Sequence, residues 1–117
     1  MTFSLIRCAA DGSPVEPVTA LPAEIAANCT STADLYRRVG YVEPWVGYVA
    51  VAAGTAVGGG AFVGPPRENR VEIAYYTLEE FEGRGFATQT AAGLVDIARR
   101  SLPGIVIAAF TLPEKNA

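Results

Sequence analysis

The first 40 residues contain two weakly periodic segments separated by one without periodicity. Residues 3–8 alternate weakly between apolar and polar side chains and predict a first strand, whereas residues 11–22 contain three prolines and predict a loop. Two short helices are predicted next, over residues 21–28 and 33–39. Ser31 with Asp34 resembles a capping box at the start of the second helix, and Gly40 is expected to end it.

The middle of the chain predicts three strands. Residues 46–53 are rich in β-branched side chains and apolar on both alternating faces, which is typical of a strand covered on both sides. Residues 57–63 predict the returning strand after a turn at Gly54 and Thr55. Three consecutive glycines leave this strand without side chains over residues 58–60 and favour a β-bulge. Residues 71–76 alternate between an apolar face and a half-polar face and predict the next strand.

The last third of the chain predicts a helix followed by a buried strand. Apolar residues recur at three- and four-residue steps over residues 86–100, and residues 105–110 form a continuous apolar run. With the strand before the helix, these segments predict a β-α-β unit.

Composition narrows the class of protein. A chain of 117 residues that is 50% hydrophobic and 18% charged predicts one compact domain over residues 1–117. Because the net charge is −3 and basic residues are scattered, nucleic acid is not expected as a partner. No segment approaches the roughly 18–20 apolar residues of a membrane span, so no membrane partner and a cytoplasmic location are expected. With no histidine and only two cysteines, no metal site is expected.

The segment between the third of these strands and the long helix contains Gly83 and Gly85. Backbone amides in such a turn, with the free amides of a helix's first turn, form a concave donor surface that suits a phosphate or pyrophosphate. Glycine allows the backbone to approach an anion closely, and Arg84 can add a charge-assisted contact. The alternative is that the two glycines only make a tight strand-to-helix connection.

The residue types in this part of the chain are more specific than the spacing of its two glycines. Residues 71–76, followed by Glu79-Glu80-Phe81-Glu82-Gly83-Arg84-Gly85-Phe86-Ala87-Thr88, resemble the acetyl-CoA-binding core of the GNAT superfamily of N-acetyltransferases. The nearest branch is the one that acetylates ribosomal-protein N-termini and antibiotics. The family signature Q/R-x-x-G-x-G/A falls on residues 82–87, with Glu82 in place of the basic or amide residue.

This resemblance implies an α/β (α+β) fold with a mixed, mostly antiparallel sheet, flanking helices and a splay at the cofactor site. It implies acetyl-CoA as co-substrate, with the pantetheine on the backbone of the fourth strand and the pyrophosphate on the amides that follow. The implied binding residues are Tyr75, Tyr76, Thr77, Gly83, Arg84, Gly85, Phe86, Ala87, Thr88 and Asn116.

Acyl transfer to an amine requires a base, because an amine is largely protonated at neutral pH. Glu72 is the candidate: it shares a strand face with Tyr76, and burial there would raise its pKa. The alternative is a solvated glutamate, and Glu43 is a second possible base.

Other side chains have plainer interpretations. Tyr48, Tyr75 and Tyr76 are expected to be packing residues rather than a general acid, and Cys8 and Cys29 to be small core residues rather than acyl carriers. Trp45 is interpreted either as lining the acceptor side or as core.

The predicted function is therefore transfer of an acetyl group from acetyl-CoA to a small-molecule or peptide amine by direct attack. The alternatives are a catalytically degenerate acyl-CoA-binding or oligomerisation domain and a mononucleotide-binding module. Family members normally add a helix and two strands beyond this length, which suggests truncation and an uncovered strand at residues 105–110. A homodimer that covers this strand is expected.

Overall fold

The computed structural model describes residues 2–18 and 21–110 and contains one sheet and two long helices. The main elements are β1 (Phe3–Arg7), α1 (Ala23–Val39), β2 (Gly47–Ala52), β3 (Thr55–Phe62), β4 (Arg70–Thr77), α2 (Phe86–Ser101) and β5 (Val106–Phe110). The strands lie in the order β1-β2-β3-β4-β5; β1 to β4 pair antiparallel with one another, and β5 runs parallel to β4. The predicted fold class and the β-α-β unit are confirmed.

The prediction of two short helices before Gly40 is wrong, because α1 is one continuous helix. The threonines on either side of Ser31 bond back to carbonyls of the same helix: Thr30 Oγ1 donates to the oxygen of Ala26 and Thr32 Oγ1 to that of Asn28. Ile25, Ala33 and Tyr36 are buried along one face and continue the packing through that segment. Gly40 ends α1 with a φ of 89°, as predicted.

The glycine-rich strand is β3, and close approach of its neighbours explains the glycines. A Cβ at Gly58 would lie 2.3 Å from the carbonyl oxygen of Tyr76, and one at Gly60 would lie 2.8 Å from Leu94 Cδ1. The register between β2 and β3 also shifts after Ala50, which confirms the expected bulge. Small residues in β3 thus allow β4 to approach on one side and α2 to pack on the face.

The two helices cover opposite faces of the sheet. Val49 and Val51 of β2 pack with Ile25 of α1, whereas the alternating residues Ala50 and Ala52 pack with Phe86 of α2. The prediction that this strand is covered on both sides is confirmed. As a result, α1 lies over one face of β4 and α2 begins beneath the other.

Candidate active site

Among residues 2–18 and 21–110, the parallel ladder between β4 and β5 covers only the first part of β4. Within the described residues it runs from Arg70 opposite Val106 to Ala74 opposite Phe110, while β4 continues to Thr77. Its last three residues, Tyr75, Tyr76 and Thr77, still pair with glycines of β3 on their other side. The end of β4 therefore extends beyond the described part of β5.

The backbone at the end of β4 alternates between its two sides. Glu72 accepts a hydrogen bond from Val63 N–H at 2.9 Å, and Leu78 N–H donates to Val57 O at 2.8 Å, so even-numbered residues bond towards β3. Because backbone groups alternate along a strand, Tyr75 and Thr77 turn theirs towards the β5 side. In addition, Thr77 Oγ1 is buried without a hydrogen-bond partner among the described residues.

The helix that follows begins at a glycine turn. A single turn of 3-10 helix (Glu79–Phe81) leads to Gly83 and Gly85, both with a φ of 82°, and Gly85 is the residue before α2. The first bond within α2 runs from Gln89 N–H to Gly85 O at 3.0 Å. The amides of the first turn therefore have no partner within the helix.

Nothing fills the space beside the two glycines. A Cβ at Gly83 or at Gly85 would have no described atom within 4 Å. The first turn of α2 carries no acidic residue, and Arg84 lies beside it with its guanidinium 5.6 Å from the centre of the Phe81 ring. The left-handed backbone favours glycine in this turn, and open backbone donors at a helix start are typical of anion-binding sites.

Phe86 fixes the start of α2 against the sheet. Its side chain is 4% exposed and packs against Val57, whose carbonyl oxygen accepts the bond from Leu78 just after β4. The structure thus brings together the end of β4 and the predicted residues Gly83, Arg84, Gly85, Phe86, Ala87 and Thr88. Asn116 lies outside the described residues.

A cavity of about 250 Å³ opens on the α1 side of this strand end. Its floor includes Ala74 and the three residues that end β4, and one wall comes from α1. That wall consists of Glu24, Asn28, Cys29 and Thr32. Residues of α1 were not predicted to belong to the site; the only available signal was the four-residue spacing of Glu24, Asn28 and Thr32, which places them on one helix face.

Both cysteines also line this cavity, far apart in sequence but joined by a hydrogen bond from the Cys8 thiol to the Cys29 sulfur. Burial raises the pKa of Cys8 to about 12, and burial likewise raises the pKa of Cys29. Both thiols are therefore held in the protonated, weakly nucleophilic form. This supports the interpretation of both as packing residues.

Three tyrosines also border the cavity: Tyr48, Tyr75 and Tyr76. Tyr48 donates to the carbonyl oxygen of Pro44 at 2.8 Å, and burial raises its pKa to about 12. Burial also raises the pKa of Tyr76, with a further contribution from the charge of Glu24. Both phenols therefore stay neutral, and the Tyr48 ring packs edge-on against Phe62 in the core.

The acidic and aromatic residues suggested from the sequence lie elsewhere. Glu72 shares a face of β4 with Tyr76 as predicted, but its side chain is exposed, so the expected burial is wrong; it does not line the cavity. The reason is that α1 covers the other end of this face. Glu43 pairs with Arg7 at 3.3 Å. Trp45 is 9% exposed and packs edge-on against Phe62, which supports its interpretation as a core residue; it does not line the cavity.

Two further findings concern the described residues only. Residues 2–18 and 21–110 contain no group of three or more His, Cys, Asp or Glu side chains that could hold a metal ion. Neither α1 nor α2 has the length and apolar composition needed to cross a membrane.

Comparison with known families tests the resemblance to the GNAT superfamily that the sequence suggested. The model of the acetyltransferase (GNAT) family matches residues 19–117. The chain belongs to this family. No curated protein matches this GNAT chain.

Solved structures share the GNAT fold. A ribosomal-protein-alanine N-acetyltransferase from Brucella melitensis biovar Abortus 2308 is 19% identical, with a TM-score of 0.58 over 97% of this chain and 84% of that one. The ribosomal-protein acetyltransferase RimL is 19% identical, with a TM-score of 0.53 over 74% of this chain; the match spans only 46% of RimL. The acetyltransferase yncA from Salmonella typhimurium, solved with acetyl-CoA, is 16% identical, with a TM-score of 0.51 over 86% of this chain and 65% of that one. The predicted family is confirmed.

Proposed function

We propose that this GNAT chain binds acetyl-CoA and transfers the acetyl group to a primary amine by direct attack. The observation that carries the proposal is the meeting of two backbone surfaces: the end of β4, where Tyr75 and Thr77 turn their backbone groups away from β3, and the amides that begin α2. Of the structures with this fold, yncA was solved with acetyl-CoA, and RimL is named for acetylating a ribosomal protein. Acetyl transfer within the cytoplasm remains a prediction.

The residues present fit such a ligand. Tyr75 and Thr77 offer backbone groups on the β5 side to the amides of pantetheine, with Tyr76 between them, and the buried Thr77 hydroxyl lacks a partner that a bound ligand would supply. The open space at Gly83 and Gly85 leaves room for a pyrophosphate. Arg84 adds a charge, the amides from Phe86 to Thr88 add donors, and Asn116 is retained as a further contact.

When bound, acetyl-CoA supplies a thioester whose carbonyl carbon a neutral amine attacks, with release of CoA as a thiol. A backbone N–H on the β5 side of β4 polarises the carbonyl oxygen. Glu72 is the proposed base: its exposed carboxylate takes the amine proton through water. No side chain of the described residues is assigned as the acid.

Calorimetric titration with acetyl-CoA tests binding, and Gly85→Ala tests the site. A methyl group at this position fills the space proposed for the pyrophosphate, and we expect acetyl-CoA binding to weaken about tenfold or more. Gly54→Ala is the matched control, because Gly54 also has a φ of 82° and open surroundings but lies in the hairpin between β2 and β3. The control carries the same backbone strain and should bind normally.

Release of CoA thiol across a panel of amines then tests transfer. Absence of acetyl-CoA binding by the intact protein would exclude the proposed function. Binding without release for any amine would favour the degenerate binding domain, and competition by ATP as strong as by CoA would favour a nucleotide module.

A further inference from the structure

The α1 wall of the cavity carries a row of hydrogen-bond acceptors. Glu24, Asn28 and Thr32 lie at four-residue steps, which places them one above another on the helix. Asn28 Nδ2 donates to the carbonyl oxygen of Glu24 at 3.1 Å, and Thr32 Oγ1 donates to that of Asn28 at 2.8 Å. These bonds use the Thr32 hydroxyl hydrogen and one of the two Asn28 Nδ2 hydrogens, so the wall retains the Glu24 carboxylate, Asn28 Oδ1 and a lone pair of Thr32 Oγ1 as acceptors, beside one remaining Asn28 N–H.

The charge on this wall is negative and isolated. Among the described residues that line the cavity, Glu24 carries the only charge, and no described arginine pairs with it. The cavity that Glu24 lines also includes Tyr75, Tyr76 and Thr77, so this residue lies on the α1 side of the end of β4. The remaining lining includes Val49, Ala61 and Ala74 and is largely apolar.

An ammonium group complements such a wall. It has three donors and no acceptor, and a nearby carboxylate stabilises its charge. A carboxylate close to the amine would be repelled by Glu24 and would find no basic side chain among the described lining residues.

We infer that the cavity is the acceptor site and that Glu24, with Asn28 and Thr32, binds the ammonium group of a primary amine that has no carboxylate beside it. Peptide N-termini and aliphatic amines belong to this class, whereas free α-amino acids do not. The inference rests on the proposed function, because it places the acceptor beside the strand proposed to hold the thioester. Glu24 here is a binding and specificity-determining residue, and proton removal is left to the proposed base.

Steady-state kinetics with alaninamide and alanine test the inference, since these acceptors differ only in the carboxylate. We expect a kcat/KM at least about tenfold higher for alaninamide, the size of one charge-assisted contact. Glu24→Gln should raise the KM for alaninamide about tenfold, leave kcat within about twofold and reduce the discrimination against alanine. Glu24→Asp should recover part of the lost affinity.

Two controls separate the possible failures. Glu16→Gln removes an exposed carboxylate from the loop before α1 and should change neither parameter, and calorimetry with acetyl-CoA reports whether the Glu24 variants keep the fold. If the wild-type protein neither binds acetyl-CoA nor acetylates any amine, the proposed function fails. If it acetylates alanine as well as alaninamide, or if Glu24→Gln leaves KM unchanged, only the present inference is overturned.

Discussion

Single residues around the cavity owe their chemistry mainly to burial. The hydrogen bond between the two thiols opposes the rise in the pKa of Cys29, but burial outweighs it. A thiol attacks electrophiles as its thiolate, so a raised pKa lowers the reactive fraction at neutral pH. An acetyl-enzyme on either cysteine would need the opposite environment, which favours direct attack by the amine.

We therefore predict slow, ordered labelling of the cysteines by a thiol reagent at pH 7.5. Cys29, which is half-buried, should react first, and Cys8, which is 3% exposed, should react only when the protein unfolds. Mass spectrometry of timed samples checks the order, and the same reagent in urea should label both cysteines rapidly. Fast labelling of Cys8 in the native state, or an acetyl adduct on the protein after incubation with acetyl-CoA, would contradict this interpretation.

Sequence reasoning at this scale succeeded where residues act through the backbone. Gly83 and Gly85 lie at the start of α2 with positive φ because a turn of that geometry needs glycine locally. The environment of Glu72 was not predictable, since its exposure depends on where α1 lies over the sheet. Glu24 was missed for the same reason: contact between α1 and the end of β4 is long-range.

At the scale of elements, the glycines of β3 and those before α2 differ in their surroundings. A Cβ on the glycines of β3 would meet β2, β4 or α2, whereas one on Gly83 or Gly85 would have no described atom within 4 Å. The sequence predicted a glycine-rich strand with a bulge, but it could not reveal which neighbouring element approaches these glycines. The error in α1 has a similar origin: the capping pattern at Ser31 is local, and burial of Ala33 and Tyr36 overrides it.

Two glycine substitutions test this difference in crowding. A methyl group at Gly58 would meet the backbone of Tyr76 at 2.3 Å, and backbone in a paired strand cannot move aside. We expect Gly58→Ala to lower the free energy of unfolding by about 1–3 kcal/mol. Gly93→Ala is crowded only by the end of the Leu5 side chain, at 2.7 Å, which can rotate away. Because alanine favours helix, this variant should be neutral or more stable.

Urea unfolding of the two variants provides the measurement. Equal losses of stability in Gly58→Ala and Gly93→Ala would contradict the prediction, because crowding by backbone and by a flexible side chain would then destabilise the fold equally. A fully stable Gly58→Ala variant would mean that β3 and β4 can separate without loss.

At the scale of the whole molecule, the two edges of the sheet differ. Beyond β1, Val15 N–H donates to Arg7 O at 2.9 Å, and a bridge joins Cys8 to Pro14, so a turn covers the end of that strand. Beyond β5, no strand pairs with it among residues 2–18 and 21–110. Val106, at the start of β5, is 50% exposed. An unpaired edge of this kind favours pairing with another chain.

We propose that a second copy of the chain covers this edge, so that the protein is a dimer in solution. Val106 N–H bonds towards β4, to Asn69 O at 2.9 Å, and alternation then directs the amides of Ile107 and Ala109 outward.

Ala109→Pro removes an outward donor without removing a bond to β4, and proline is tolerated on edge strands. Light scattering should show a dimer for the wild type and a monomer for this variant. Ala108→Pro is the contrast: it removes a donor that faces β4 and should lower the stability of the fold itself. A wild-type monomer, or an Ala109→Pro variant that dimerises as tightly as the wild type, would show that this edge is not the interface.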